Sequence, residues 1–153
     1  MMLRIADGGL DEPQVLAMLK FHFDTNISVT PQGSAHVFDV SRLKAPDISF
    51  WSAWGGETLM GVGALKRMDA SHGEVKSMHT LQTSRRSGVG GAMLRHIIAK
   101  AQGMGLARLS LETGSFDFFA PARALYERHG FVECGPFGDY KPDPNSTFMS
   151  REI

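Results

Sequence analysis

Apolar residues at Val89, Met93, Leu94, Ile97, Ile98 and Ala101 recur with the 3.6-residue period of a helix that buries one face, and Gly103 and Gly105 close the run. A second helix is expected where Pro121 opens the stretch from Ala122 to His129 and Gly130 ends it. A third covers residues 13–25, with Asp11-Glu12-Pro13 as its start and Val15, Leu16, Met18, Leu19 and Phe23 behind it. Elsewhere the pattern is that of strands. Leu3-Arg4-Ile5 reads as a short opening strand. Ile48–Trp54, Gly55-Gly56 and Leu59–Leu65 form a hairpin signal, and Glu74–Thr80 follows as a third strand. Leu109 and Leu111 alternate with Ser110 and Glu112, and Phe131–Cys134 and Thr147–Arg151 close the chain as final strands. From Asn26 to Asp47 the sequence reads as loop, with Val37–Val40 as one short strand candidate. The sum is a mixed α/β domain: a starting meander, then strand, helix, strand and helix in alternation.

The length of 153 residues suits one domain spanning residues 1–153, since two separate cores would each be small. Lys+Arg and Asp+Glu balance at 16 each, so the chain lacks the broad positive field of a nucleic-acid or anionic-membrane binder. Any polyanion must be held locally. One cysteine, Cys134, supplies neither an internal disulfide nor a CxxC pair, which fits a reducing, cytoplasmic setting. Neither a signal-peptide core nor an apolar run long enough for a membrane span is visible. The six histidines show no HxxxH or HExxH grouping, so no metal is expected.

The most informative residues are Arg85-Arg86-Ser87-Gly88-Val89-Gly90-Gly91, between a strand and the strongest helix. A helix start offers unpartnered N–H groups and a positive dipole end, and glycines let a phosphate approach the main chain. The segment is neither GxxxxGK[ST] nor GxGxxG, because Met93 stands where the third glycine belongs. Taken alone it is equally well a tight strand-to-helix turn.

With its neighbours, however, the segment resembles the [Q/R]-x-x-G-x-[G/A] loop of the GNAT superfamily of acetyl-CoA-dependent N-acetyltransferases. Glu74–Thr80 is similar to the family's fourth strand, and Ala122–Phe131 to its A-x-x-L-Y-x-x-x-G-F helix and following strand. More loosely, the whole chain resembles small bacterial members, with Leu111–Gly114 and Asp143–Ser146 as shared features. The resemblance implies a twisted, largely antiparallel mixed sheet of about six or seven strands with helices on both faces. It implies a transferase with acetyl-CoA as acyl donor, no metal, and a small-molecule amine or peptide as acceptor. It also admits a homodimer. Cofactor binding falls to Met78, His79, Thr80, Arg85, Arg86, Ser87, Gly88, Val89, Gly90 and Gly91. Where many family members carry an Asn, this chain has Phe119, which leaves Phe116–Phe119 to shape the acyl or acceptor pocket.

Acetyl transfer from a thioester needs a neutral amine, stabilisation of the developing oxyanion, and a proton for the departing thiolate. The resemblance gives the oxyanion to the Met78 N–H and the proton to Tyr126. For the base, the order of preference is Glu74, Glu112, then His79, each competing with a plain solvated or packed role. Met78 and His79 must point to opposite faces of their strand. Cys134 carries no sign of activation, so direct transfer in a ternary complex is expected over an acyl-enzyme. Phe23, Phe50, Trp51 and Trp54 are core residues before they are an acceptor pocket. The reading from another class is a noncatalytic acyl-CoA sensor or interaction module. A binder of another nucleotide is a further alternative.

Overall fold

The computed structural model describes residues 2–29, 40–81 and 88–153, with the backbone alone at 27–29. In chain order the elements are β1 (Leu3–Asp7), α1 (Pro13–Val29), β2 (Ile48–Gly55), β3 (Thr58–Arg67), β4 (His72–Thr80), α2 (Val89–Gly103), β5 (Arg108–Gly114), α3 (Ala120–Arg128), β6 (Val132–Cys134) and β7 (Ser146–Glu152). Short 3-10 turns lie at Val40–Lys44 and Asp117–Phe119. Val40 thus opens a helical turn, while the rest of the strand candidate at 37–40 falls outside the described residues. The strands form one sheet of order β1-β2-β3-β4-β5-β7-β6 in which only the β4–β5 pair is parallel. The mixed, largely antiparallel sheet that the resemblance implies is what forms.

Two hydrophobic clusters cover the two faces. One gathers Val89, Met93, Leu94, Ile97, Ile98 and Ala101 of α2 with Leu109, Leu111, Tyr126 and Phe131. The other packs Val15, Met18 and Leu19 of α1 against Phe50, Trp54, Leu59 and Val62. Each large apolar side chain taken fully out of water contributes about 1.5–3 kcal/mol, so the 3.6-residue stripe on α2 is enough to fix that helix to the sheet. Alternation on β2 sends Trp51 to the first cluster and Phe50 and Trp54 to the second. These aromatic residues are core, and the indole N–H groups of Trp51 and Trp54 donate to Asp7 and Ser52 at 2.9 Å.

One irregularity and one divergence shape the middle of the sheet. Opposite Val62–Ala64, β4 holds one extra residue, because Val62 pairs with His79 but Ala64 pairs with Lys76. Ser77 sits there at φ 55°, a left-handed conformation for a residue with a side chain. On the other side of β4, pairing with β5 runs only through His72–Arg108, Gly73–Leu109 and Glu74–Ser110. Beyond Glu74 the two parallel strands part.

Candidate active site

The parting of β4 and β5 opens a cleft of about 290 Å3. Glu74 to Met78 form one wall and Glu112 to Gly114 the other. Phe119, Ala122 and Tyr126 close it from the α3 side. Tyr140, Asp143, Asn145 and Ser146 reach in from the segment leading into β7, and His22 and Asn26 from α1. Phe119 is held on the site by close approach: a Cβ at Gly114 would collide with its ring, so glycine at that position lets the ring lie on the strand. Arg123 fixes the same turn by donating to the carbonyls of Gly114 and Phe116 at 2.7 and 3.0 Å.

Glu74 and Glu112 share the cleft in different settings. Glu74 is 5% exposed, accepts the Tyr140 hydroxyl at 2.6 Å, and has Lys76 Nζ at 3.8 Å. Glu112 accepts the Ser146 hydroxyl at 2.7 Å. Burial pushes the Glu112 carboxyl above its ordinary range; the Ser146 hydrogen bond opposes the shift, and the neighbouring Glu74 and Asp143 add to it. Three carboxylates and one lysine therefore face the same small space.

Tyr126 is buried, with its ring edge-on to Phe131 at 5.9 Å between centroids. Burial, and then Glu112, pushes its phenol well above the ordinary tyrosine range. The shift favours the protonated phenol, whose hydroxyl is a hydrogen-bond and proton donor into the cleft. Tyr140 is pushed the same way by burial and by its bond to Glu74.

Met78 and His79 do leave β4 on opposite faces. Met78 packs against the α2 cluster and lines the cleft. The His79 ring lies 5.8 Å from Phe21 and 4.8 Å from His22, both on α1. Thr80 approaches the start of α2, its methyl group 3.6 Å from where a Cβ on Gly90 would stand. Gly88 precedes Val89, Gly90 and Gly91 at φ 88°, and no side chain caps the helix there. That left-handed turn is open to a residue without Cβ at no steric cost, and Gly88 itself offers the first-turn N–H groups no side-chain acceptor. Arg85, Arg86 and Ser87 lie outside the described residues.

The cleft thus brings together Tyr126, Glu74, Glu112 and Met78, whereas His79, Thr80 and Gly88–Gly91 lie outside its lining. The sequence reading did not pick out Tyr140, Ser146, His22 and Asn26 as site residues. Tyr140 stands in a loop rich in Gly and Pro that carries no periodic signal, and His22 and Asn26 share a cleft-facing side only because they are four apart on a helix. Cys134 lies on β6 opposite Phe148, its thiol raised by burial, so it is not an activated nucleophile. Among the described residues, no group of three His, Cys, Asp or Glu is arranged to hold a metal ion, and no helix is long and apolar enough to cross a membrane.

Residues 15–131 match the model of the acetyltransferase (GNAT) family. The chain is 47% identical over 140 residues to the uncharacterized N-acetyltransferase YsnE of Bacillus subtilis, covering 92% of this chain and 93% of that protein. Among solved structures, a Klebsiella pneumoniae protein provisionally described as an acyl-CoA N-acyltransferase superposes with a TM-score of 0.83 at 25% identity, over 99% of this chain and 97% of that one. A Bacillus subtilis acetyltransferase in complex with CoA shares the fold with a TM-score of 0.75 at 17% identity, over 99% of both chains.

Proposed function

The chain belongs to the GNAT family of acetyltransferases, and from that premise we propose that it moves an acetyl group from acetyl-CoA to a primary amine of a small molecule or peptide, by direct transfer in a ternary complex. The observation that carries this reading is the cleft itself. A strand pair splayed on one side of Glu74–Ser110 leaves backbone groups of β4 unclaimed by β5, and a buried, protonated tyrosine faces the same space.

Within that reading the pantetheine arm lies along Met78–Thr80, and the pyrophosphate rests on the first turn of α2 at Gly88–Gly91 with Arg85, Arg86 and Ser87 beside it. The Met78 N–H stabilises the oxyanion as the amine nitrogen bonds to the acyl carbon. Tyr126 supplies a proton to the departing sulfur. Glu74, Glu112 and Asp143 give the cleft a negative balance that favours an acceptor arriving as an ammonium ion. Glu74 and Glu112 accept hydrogen bonds from that ammonium and aim it at the thioester. The cytoplasm, where acetyl-CoA is made and used, is the setting that fits.

A thermal-unfolding comparison of acetyl-CoA, coenzyme A and ATP tests the donor. At about 100 times Kd a native-state ligand stabilises by about 2.7 kcal/mol, a rise of about 5–10 °C for a domain of this size. A rise with acetyl-CoA and coenzyme A but not ATP is expected. No shift at saturating acetyl-CoA contradicts the proposal, and a shift with ATP alone points to a different nucleotide. The noncatalytic alternative predicts the same shifts with no thiol release in the presence of amines.

A further inference from the structure

We propose that His22 and His79 form a two-histidine general base that deprotonates the acceptor ammonium and carries its charge away from the cleft. The inference rests on the acetyl-transfer reading and adds a base to it. His22 Nδ1 and His79 Nδ1 are 2.9 Å apart, and Asn26 Nδ2 lies 3.3 Å from His22 Nε2. His22 and Asn26 line the cleft, whereas His79 lines a separate groove of about 360 Å3 with Phe21, Leu59 and Leu81. The pair therefore bridges two cavities.

The hydrogen bonds dictate where the protons sit. A 2.9 Å contact between two ring nitrogens holds one proton between them. With Asn26 Nδ2 donating to Nε2, His22 carries its own proton on Nδ1 and gives that hydrogen bond to His79 Nδ1. His79 is then neutral with its proton on Nε2. An ammonium that takes the place of Asn26, whose bond is long, meets a ready acceptor at His22 Nε2.

The step balances without a further reactant. R–NH3+ gives one proton to His22 Nε2 while the Nδ1 proton of His22 passes to His79 Nδ1, leaving His22 neutral and His79 an imidazolium. The free amine attacks the acyl carbon, the C–S bond breaks, and the sulfur takes the Tyr126 proton. The nitrogen, now in the amide, returns a proton to Tyr126. One proton remains on His79, which borders the groove. Burial lowers the His22 pKa to about 4, so this ring passes charge on and does not store it. Glu74, first in the order of preference for the base, already accepts the Tyr140 hydroxyl on Oε2, the oxygen that faces Lys76.

The titratable groups that share the cleft with His22 are Glu74 and Lys76 on β4, Glu112 on β5, Tyr126 on α3, and Tyr140 and Asp143 ahead of β7. Lys20 and Asp24 pair with each other on the exposed side of α1. A histidine base makes kcat/KM for the acceptor rise with pH along an acid limb that belongs to the pair.

The test measures thiol release from acetyl-CoA with putrescine, ethanolamine and an alanine-initiated peptide as acceptors, for wild type, His79→Ala and His22→Gln. The expected result is a fall of about tenfold or more in kcat/KM for the acceptor in both variants, with the acetyl-CoA thermal shift intact in His22→Gln. The acid limb seen in wild type is lost, and added imidazole restores His79→Ala. A residue with only a packing role is not rescued by imidazole. Rates equal to wild type, or a fall with the acid limb unchanged and no rescue, overturn the dyad. Should His79→Ala not fold, His22→Gln decides by its pH profile. No thiol release from wild type with any of these amines means that the transfer reading has failed, and the dyad falls with it.

Discussion

The two ends of the β4–β5 pair are the same two strands put to opposite uses. At the closed end three residues of each strand pair in parallel, and polar groups on these strands and on β7 satisfy one another beside the buried Leu109. The His72 ring meets the Ser110 hydroxyl at 2.7 Å, Ser110 meets Ser150 at 3.0 Å, and Arg108 donates to Ser150 at 2.6 Å. At the open end the bulge at Ser77 and the loss of pairing hold the walls apart, and the groups between them are titratable: Glu74, Lys76, Glu112, Tyr126 and Tyr140. The closed end spends its polar groups on each other. The open end leaves carboxylates and a raised phenol facing space. Anchoring the strands at one end is what fixes the separation at the other, so stability and chemistry are divided along a single pair of strands.

Substitutions separate the two ends, and the largest effect belongs to the open one. Tyr126→Phe keeps the ring that packs on Phe131 and removes only the hydroxyl, so kcat for acetyl transfer falls about 100–1,000-fold while acetyl-CoA still raises the unfolding temperature as in wild type. At the closed end, Leu109 is fully buried. Leu109→Ala costs about 2–5 kcal/mol in denaturant unfolding and leaves kcat per folded molecule unchanged below the transition. If that variant instead alters kcat at constant stability, the two ends are not separable in the way described.

Glu74→Gln retains the bond from Tyr140 but loses the charge that draws an ammonium, and kcat/KM for the acceptor falls about tenfold with little change in acetyl-CoA affinity. The smallest effect is on stability at Glu112. Its folded-state carboxyl titrates above the ordinary value, so ionisation costs stability as pH rises through that value, and the cost is absent below the unfolded-state value. Glu112→Gln therefore raises Tm by a few degrees near neutral pH and leaves it unchanged near about pH 4, read by scanning calorimetry across pH.

The sequence made the elements readable wherever one period ruled a long stretch. The α2 stripe is the clearest case: all six of its periodic residues are buried against the sheet. Edge strands and helix limits were readable from Gly and Pro, to within a few residues. The site was readable in its β4, β5 and α3 parts, because Glu74, Met78, Glu112 and Tyr126 fall within or next to the motif stretches that resemble the family. The rest depends on tertiary contact. Tyr140 meets Glu74 across 66 positions of sequence, and His22 meets His79 across 57. No local pattern encodes either pairing. The bulge at Ser77 was equally hidden, since β4 keeps a strand-like composition through it. His79 is third in the order of preference for the base, and its contact with His22 on α1 is the observation on which the proposed dyad rests.

The most direct measurement is a crystal structure of this chain with coenzyme A. We expect the sulfur in the opening between β4 and β5, within about 3–3.5 Å of the Tyr126 hydroxyl, and the pyrophosphate on the first turn of α2 at Gly88–Gly91. A pantetheine arm lying in the groove beside Phe21 and Leu81, or a sulfur out of reach of Tyr126, contradicts that placement.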